Sequence, residues 1–141
     1  MHHPEILQLI RKAVECELEG TWIFQRYTMA ELAEIYNGIG PDWIPEKLRR
    51  FCTKWGWLFE PAALIHDVEY FLGGSEEDFQ NSNERFKRNG IKLARAEFSA
   101  WNPCRFVWIS RARRWGNWCR IFGRTGYHFV SDGGKVKNDA V

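Results

Sequence analysis

Hydrophobic positions along the chain recur mostly at helical spacing, and little of the sequence alternates between apolar and polar residues as a strand does. In the first such stretch Ile6, Ile10, Ala13 and Val14 fall on one helical face. Glycine or proline separates most of the stretches. The pattern therefore predicts a mainly α-helical protein, with helices over 4–18, 21–36, 46–59, 61–72, 75 to about 88 or beyond, and 104–121. Gly90 is a candidate interruption of the fifth helix.

The length of 141 residues fits one domain. We predict a single helical domain over 1–130 and a flexible C-terminal tail over the glycine-rich, polar residues 131–141. The chain start lacks the basic and apolar regions of a signal peptide, and no run of about 18 apolar residues could span a membrane. We therefore expect a protein that is cytoplasmic as made. The four cysteines form no CxxC pair, which predicts buried, reduced thiols.

Charge is distributed unevenly, although the formal net charge is only +2. Residues 1–84 contain 7 Lys and Arg against 15 Asp and Glu, whereas residues 85–141 contain 13 against 3. Two explanations follow from this asymmetry. The C-terminal part contacts an anionic surface, or the two halves form ion pairs with each other.

The helix predicted over 61–72 presents candidate chemistry. His66 and Tyr70 are four residues apart and share a face, while Asp67 is turned by roughly 100° around the axis. Gly73 and Gly74 end this helix, so it and the next helix are expected to form an antiparallel hairpin that carries the His-Asp pair.

This hairpin predicts a partner for the histidine. The midpoint between positions 66 and 83 falls at the turn, so Asn83 should face His66 across the hairpin. We expect the amide oxygen of Asn83 to accept the Nδ1–H of His66. That bond would leave Nε2 free to act as a base.

Two runs of residues together carry a family resemblance. The run Tyr36-Asn37-Gly38-Ile39-Gly40 precedes the run His66-Asp67-Val68-Glu69-Tyr70. They resemble the calcium loop, Tyr-Cys-Gly-x-Gly, and the active helix, His-Asp-x-x-Tyr, of the phospholipase A2 superfamily. A Gly-Pro turn after the loop and the lack of framework cysteines make the viral and bacterial branch, with its phage-encoded members, the more similar one. The resemblance covers about residues 36–86.

The resemblance implies a calcium-dependent hydrolysis of the sn-2 ester of phospholipids. His66 would deprotonate the attacking water, and Tyr70 would support the hydrogen-bond network around it. Calcium and the Gly38 amide would stabilise the oxyanion. The implied calcium ligands are the backbone carbonyls of Tyr36, Gly38 and Gly40 and the carboxylate of Asp67.

One departure from the family pattern supports an alternative function. Asn83 stands where the family usually has Asp, and an amide cannot balance the charge of an imidazolium ion. The alternative is a non-catalytic relative that serves as a structural or membrane-interaction protein of a phage, associated with the virion. A metal phosphohydrolase is disfavoured, because only His2 and His3 precede His66 and both lie at the chain start.

An aromatic stripe marks the basic C-terminal region. Trp101, Trp108, Trp115 and Phe122 recur every seven residues among several arginines. This pattern suits a protein that meets a phospholipid membrane surface. The other interpretation is that the stripe packs into the core while the arginines face water. Nucleic-acid binding is disfavoured because no recognition motif appears.

Overall fold

The computed structural model describes residues 2–36 and 45–129 of the chain. Within these ranges the protein is mainly α-helical, as predicted, and contains no strand beyond an isolated bridge between Gly74 and Phe129. Short 3₁₀ helices cover Thr21–Arg26, Trp57–Phe59 and Gly123–Gly126. The α-helices are α1 (His3–Glu15), α2 (Met29–Ile35), α3 (Glu46–Trp55), α4 (Glu60–Leu72), α5 (Glu76–Glu97) and α6 (Pro103–Phe122).

The helix predicted over 21–36 is in fact two separate helices. Thr28 accepts a hydrogen bond from the Glu31 amide at 3.2 Å, and the Glu31 carboxylate accepts one from the Thr28 amide at 2.7 Å. This capping box starts α2 at Met29 because it satisfies two amides that have no helical partner. The preceding residues form only a 3₁₀ helix.

Two glycines behave differently from the predictions. The helix predicted over 46–59 ends at Trp55, because Gly56 follows and a short 3₁₀ helix begins beyond it. Gly90, the candidate interruption, instead lies buried inside the continuous helix α5. A Cβ atom there would lie 2.9 Å from the Cβ of Ala112, so the glycine allows α5 and α6 to approach closely.

Helix α4 lies at the centre of the hydrophobic core. Helices α1, α2 and α5 contact it, while α6 packs mainly against α5. Ring contacts between α5 and the α4 region run in opposite order, with Phe59 against Phe86 and Tyr70 against Phe79. Because α4 is covered on most sides, its polar residues His66 and Glu69 are buried.

No helix in the described ranges is long and apolar enough to cross a membrane. All four cysteines are free thiols. Cys104, in the first turn of α6, is exposed and the other three are partly buried, so the prediction of buried thiols is wrong for Cys104 and only partly met elsewhere. The predicted tail over 131–141 and the Gly38 and Gly40 positions lie outside the described residues.

Candidate functional site

A buried polar cluster connects α4 with α5. His66 is only 8% exposed, and its ring centroid lies 4.1 Å from that of Tyr70, one helical turn further along α4. Phe86 of α5 packs against the other side of the imidazole, with centroids 5.1 Å apart. Helical spacing on α4 thus brings the histidine and the tyrosine to the same point of α5.

Asn83 of α5 joins the two side chains. It is fully buried, and its Oδ1 lies 2.9 Å from Nε2 of His66 and 2.7 Å from the hydroxyl of Tyr70. An amide oxygen only accepts hydrogen bonds, so both neighbours donate to it. With the amide in this orientation, the neutral form of His66 carries its proton on Nε2 and has a lone pair on Nδ1. We call His66, Tyr70 and Asn83 the histidine cluster.

The spacing predicted the meeting of His66 with Asn83, but the expected ring nitrogen is wrong. Nε2 contacts the amide, not Nδ1. The reason is the shape of imidazole. Nδ1 is bonded to Cγ and stays beside the backbone of its own helix, while Nε2 lies at the far end of the ring and reaches across to α5.

The nitrogen that remains available faces Asp67. Nδ1 lies 3.8 Å from Oδ1 of Asp67, which is too long for a hydrogen bond but within the range of an ion pair. The Asp67 side chain is one-third exposed, whereas that of His66 is almost completely covered. The lone pair of His66 therefore lies on the side of the cluster that is nearest to solvent.

Tyr70 acts as a permanent donor in this cluster. Burial raises the pKa of its hydroxyl well above the ordinary range, so the phenol stays protonated. Gly123, just after α6, lies against this hydroxyl at a point where a Cβ atom would overlap with it. The absence of a side chain at Gly123 therefore allows the end of α6 to close over Tyr70.

Three residues near the cluster were not expected from the sequence. Glu69 of α4 is buried and pairs with Arg85 of α5, with Oε1 and Nη1 2.5 Å apart. Burial raises the pKa of Glu69, and the nearby guanidinium opposes that shift. Burial also raises the pKa of the Cys119 thiol to about 12, and Asp67 adds to this, so the thiolate form is disfavoured. Of these three residues, only Glu69 had a signal in the sequence, because it is an acidic residue three positions after His66.

Tyr36 connects the end of α2 with the face of α4 that carries Asp67. Its side chain is fully buried, and its hydroxyl donates a hydrogen bond of 3.0 Å to Oε1 of Glu60. Burial raises the pKa of Tyr36, and the carboxylates of Glu60 and Asp67 raise it further. Tyr36 thus lies within electrostatic reach of Asp67. The resemblance implies four calcium ligands, and two of them are the backbone carbonyl of Tyr36 and the carboxylate of Asp67.

Side-chain metal ligands are not clustered in residues 2–36 and 45–129. No group of three or more His, Cys, Asp and Glu residues is placed there to hold a metal ion. The implied calcium set contains one such side chain, Asp67, and otherwise consists of backbone carbonyls. Calcium accepts backbone carbonyls readily as ligands.

No protein-family model, curated protein or solved structure matches this chain. Its function is therefore inferred from the geometry around His66. An imidazole whose Nε2 contacts an amide oxygen and whose Nδ1 faces the more exposed Asp67 is placed to accept a proton from water at Nδ1.

Proposed function

We propose that the protein is a calcium-dependent, phospholipase A2-like hydrolase that cleaves the sn-2 ester of phospholipids. The observation that supports this most is the orientation of His66. Asn83 holds the ring through Nε2, so that Nδ1 faces Asp67 and can act as a base. The sequence runs at 36–40 and 66–70 supply the substrate class through their resemblance to that superfamily.

Each member of the histidine cluster has a role in this proposal. Nδ1 of His66 takes a proton from water while the oxygen of that water attacks the ester carbonyl. Tyr70 and Asn83 keep the ring from rotating, because both hydrogen bonds converge on one amide oxygen. The carboxylate of Asp67, 3.8 Å from Nδ1, lies beside the positive charge that forms on the ring.

The resemblance implies a calcium site whose donors are all oxygen atoms, which calcium prefers. Asp67, the implied side-chain ligand, is one-third exposed. Carbonyls of Tyr36, Gly38 and Gly40 would complete the set with Asp67. Bound calcium supplies positive charge that stabilises the oxyanion of the ester.

Asn83 favours a second candidate function. A neutral amide cannot balance an imidazolium ion, and the corresponding Asp→Asn change in serine proteases lowers the rate about 10⁴-fold. The Nδ2 atom of Asn83 is also buried without a hydrogen-bond partner among the described residues. The second candidate is therefore a non-catalytic relative that serves as a structural or membrane-interaction protein of a phage.

Hydrolysis of vesicles with a labelled sn-2 chain separates the two candidates. We expect fatty-acid release with calcium and none with EDTA, and a decrease of about 10²–10⁴-fold in His66→Gln. Gln keeps a donor toward Asn83 but removes the base. His3→Gln, at an exposed histidine, is the control.

Three results decide the outcome. Release by the natural chain supports the enzyme, and release by Asn83→Asp alone supports the non-catalytic relative. If neither protein releases fatty acid and calorimetry detects no calcium binding, the hydrolase proposal is wrong.

A further inference from the structure

The outward face of α6 is unusually apolar. A surface helix normally presents polar residues to solvent. Helix α6 buries Trp108 and Ala112 on its inner face, yet its outer face exposes further large apolar side chains, with Ile121 61% accessible. The exposed set on α6 is Phe106, Val107, Trp118, Ile121 and Phe122. This helix therefore has apolar residues on both sides.

Helix α3 extends this exposed surface. It contains no buried residue, although Leu48, Phe51 and Trp55 recur at helical spacing and Phe51 is 63% accessible. The ring of Trp55 stacks on Trp115 of α6, with centroids 5.4 Å apart. We call the combined surface the α3–α6 face, and define it by Leu48, Phe51, Trp55, Phe106, Val107, Arg111, Arg114, Trp118 and Ile121.

A groove of about 550 Å³ runs along α6 on this face, and Trp55 of α3 lines it from the other side. Apolar side chains form most of its wall, and Arg111 and Arg114 also line it. The guanidinium of Arg111 sits between two indole rings, 4.2 Å from the centroid of Trp55 and 4.7 Å from that of Trp108. Such cation–π contacts hold the charge of Arg111 in place at the groove.

Among the described residues, the arginines of α6 have no acidic partner. The helix contains five arginines and no Asp or Glu, and none of the five forms an ion pair with a described residue. Several arginines elsewhere are paired: Arg85 with Glu69, Arg88 with Glu19 and Arg124 with Glu76. Internal pairing thus accounts for much of the basic charge of α5 but for none of that on α6.

We propose that the α3–α6 face docks on a bilayer that contains anionic phospholipid. Arg114 is exposed and Arg111 partly exposed, and neither has an acidic partner among the described residues, so both complement an anionic surface. The exposed apolar side chains beside them suit burial at the boundary between headgroups and acyl chains. Tryptophan favours the headgroup level, and Trp55 and Trp118 are both exposed on this face. Membrane docking of this kind does not require the His66 site to be active.

Vesicle co-sedimentation in EDTA tests this proposal without any contribution from calcium-dependent hydrolysis. We expect the full chain to bind phosphatidylglycerol-containing vesicles and to bind pure phosphatidylcholine weakly. Arg111→Gln with Arg114→Gln should lower the affinity about 25-fold, since each basic residue near an anionic surface contributes roughly a factor of five. The matched control is Arg88→Gln with Arg124→Gln, which removes the same charge from paired arginines off this face.

The apolar part of the face needs a second variant pair. Phe106→Ser with Ile121→Ser should also weaken vesicle binding and leave the net charge unchanged. Equal binding to neutral and anionic vesicles would overturn the proposal, and so would equal losses of vesicle affinity in the arginine pair and its control. Binding to oligonucleotides but not to vesicles, or dimer formation without vesicle binding, would also overturn it. None of these results depends on fatty-acid release, so the docking proposal and the hydrolase proposal can be contradicted independently of each other.

Discussion

The histidine cluster and the α3–α6 face treat polar and apolar groups in opposite ways. In the cluster, polar groups are buried, and Nε2 of His66 and the Tyr70 hydroxyl both bond to one oxygen of Asn83. On the face, large apolar groups are exposed, and the α6 arginines have no acidic partner among the described residues. Apart from Nδ2 of Asn83, the first arrangement satisfies its polar groups within the fold, whereas the second leaves apolar and charged groups open to contacts from outside.

This difference has an energetic basis. A buried polar group costs free energy unless it is hydrogen-bonded, so the cluster has to be ordered before any substrate arrives. Exposed apolar patches are uncommon on monomeric proteins and mark surfaces that bind a partner. The comparison therefore predicts that substitutions in the cluster change chemistry and those in the core change stability, while those on the face change binding.

The largest expected effect is on chemistry, from Asn83→Asp. A carboxylate at this position would balance the imidazolium ion of His66, so hydrolysis should rise by about 10³–10⁴-fold. Vesicle hydrolysis measures this effect. The control is Asn89→Asp, at another buried asparagine of α5 whose amide bonds to the backbone of Glu19. If the Asn83→Asp protein folds but hydrolyses vesicles no faster, the missing negative charge at position 83 does not limit the rate of hydrolysis.

A smaller effect is expected on stability, from a pair of phenylalanines. Phe59 is fully buried against the rings of Phe86, Trp108 and Trp115, so Phe59→Ala should lower the free energy of unfolding by about 3–5 kcal/mol. Phe51→Ala, on the exposed side of α3, should change it by less than about 0.5 kcal/mol and weaken vesicle binding instead. Urea denaturation measures both variants. Similar losses of stability would mean that the α3–α6 face is part of the folding core.

The smallest expected effect is a pH dependence at Glu60. Burial raises the pKa of this carboxyl above its ordinary value of about 4.5. The folded state therefore favours the protonated form, and the stability that this form contributes below about pH 4.5 is lost as the pH rises through the folded-state pKa. Glu60→Gln can still accept the Tyr36 hydrogen bond. Its melting temperature should be higher than that of the natural chain at pH 7 and equal to it at pH 4. The same difference in melting temperature at pH 7 and at pH 4 would contradict the assignment of the effect to the ionisation of buried Glu60.

Helical periodicity predicted the fold class, while local and tertiary contacts decided where helices start and stop. The capping box of Thr28 divides the stretch 21–36, and the contact of Gly90 with Ala112 keeps α5 continuous. Neither feature changes the hydrophobic pattern. Spacing around the turn also predicted that His66 meets Asn83, but the choice of ring nitrogen depends on side-chain geometry.

The aromatic stripe shows why a repeat of seven residues was misleading. Seven residues fall about 20° short of two full helical turns, so a straight helix rotates such a stripe away from one face. Trp108 is buried, Trp115 is half-buried, and Phe122 is exposed. Trp101 lies before α6 and is 94% accessible. The exposed aromatic surface of α6 thus comes largely from Phe106 and Trp118, which the repeat does not include.

The protonation state of His66 is the most direct test of the account. A hydrogen–nitrogen NMR correlation spectrum of the imidazole at neutral pH distinguishes the two ring nitrogens. The account predicts a proton on Nε2 and a bare Nδ1 in the natural chain, with the preference weakened in Asn83→Ala. A proton on Nδ1 in the natural chain would mean that Asn83 does not hold His66 as a base, and would contradict the proposed role of the cluster.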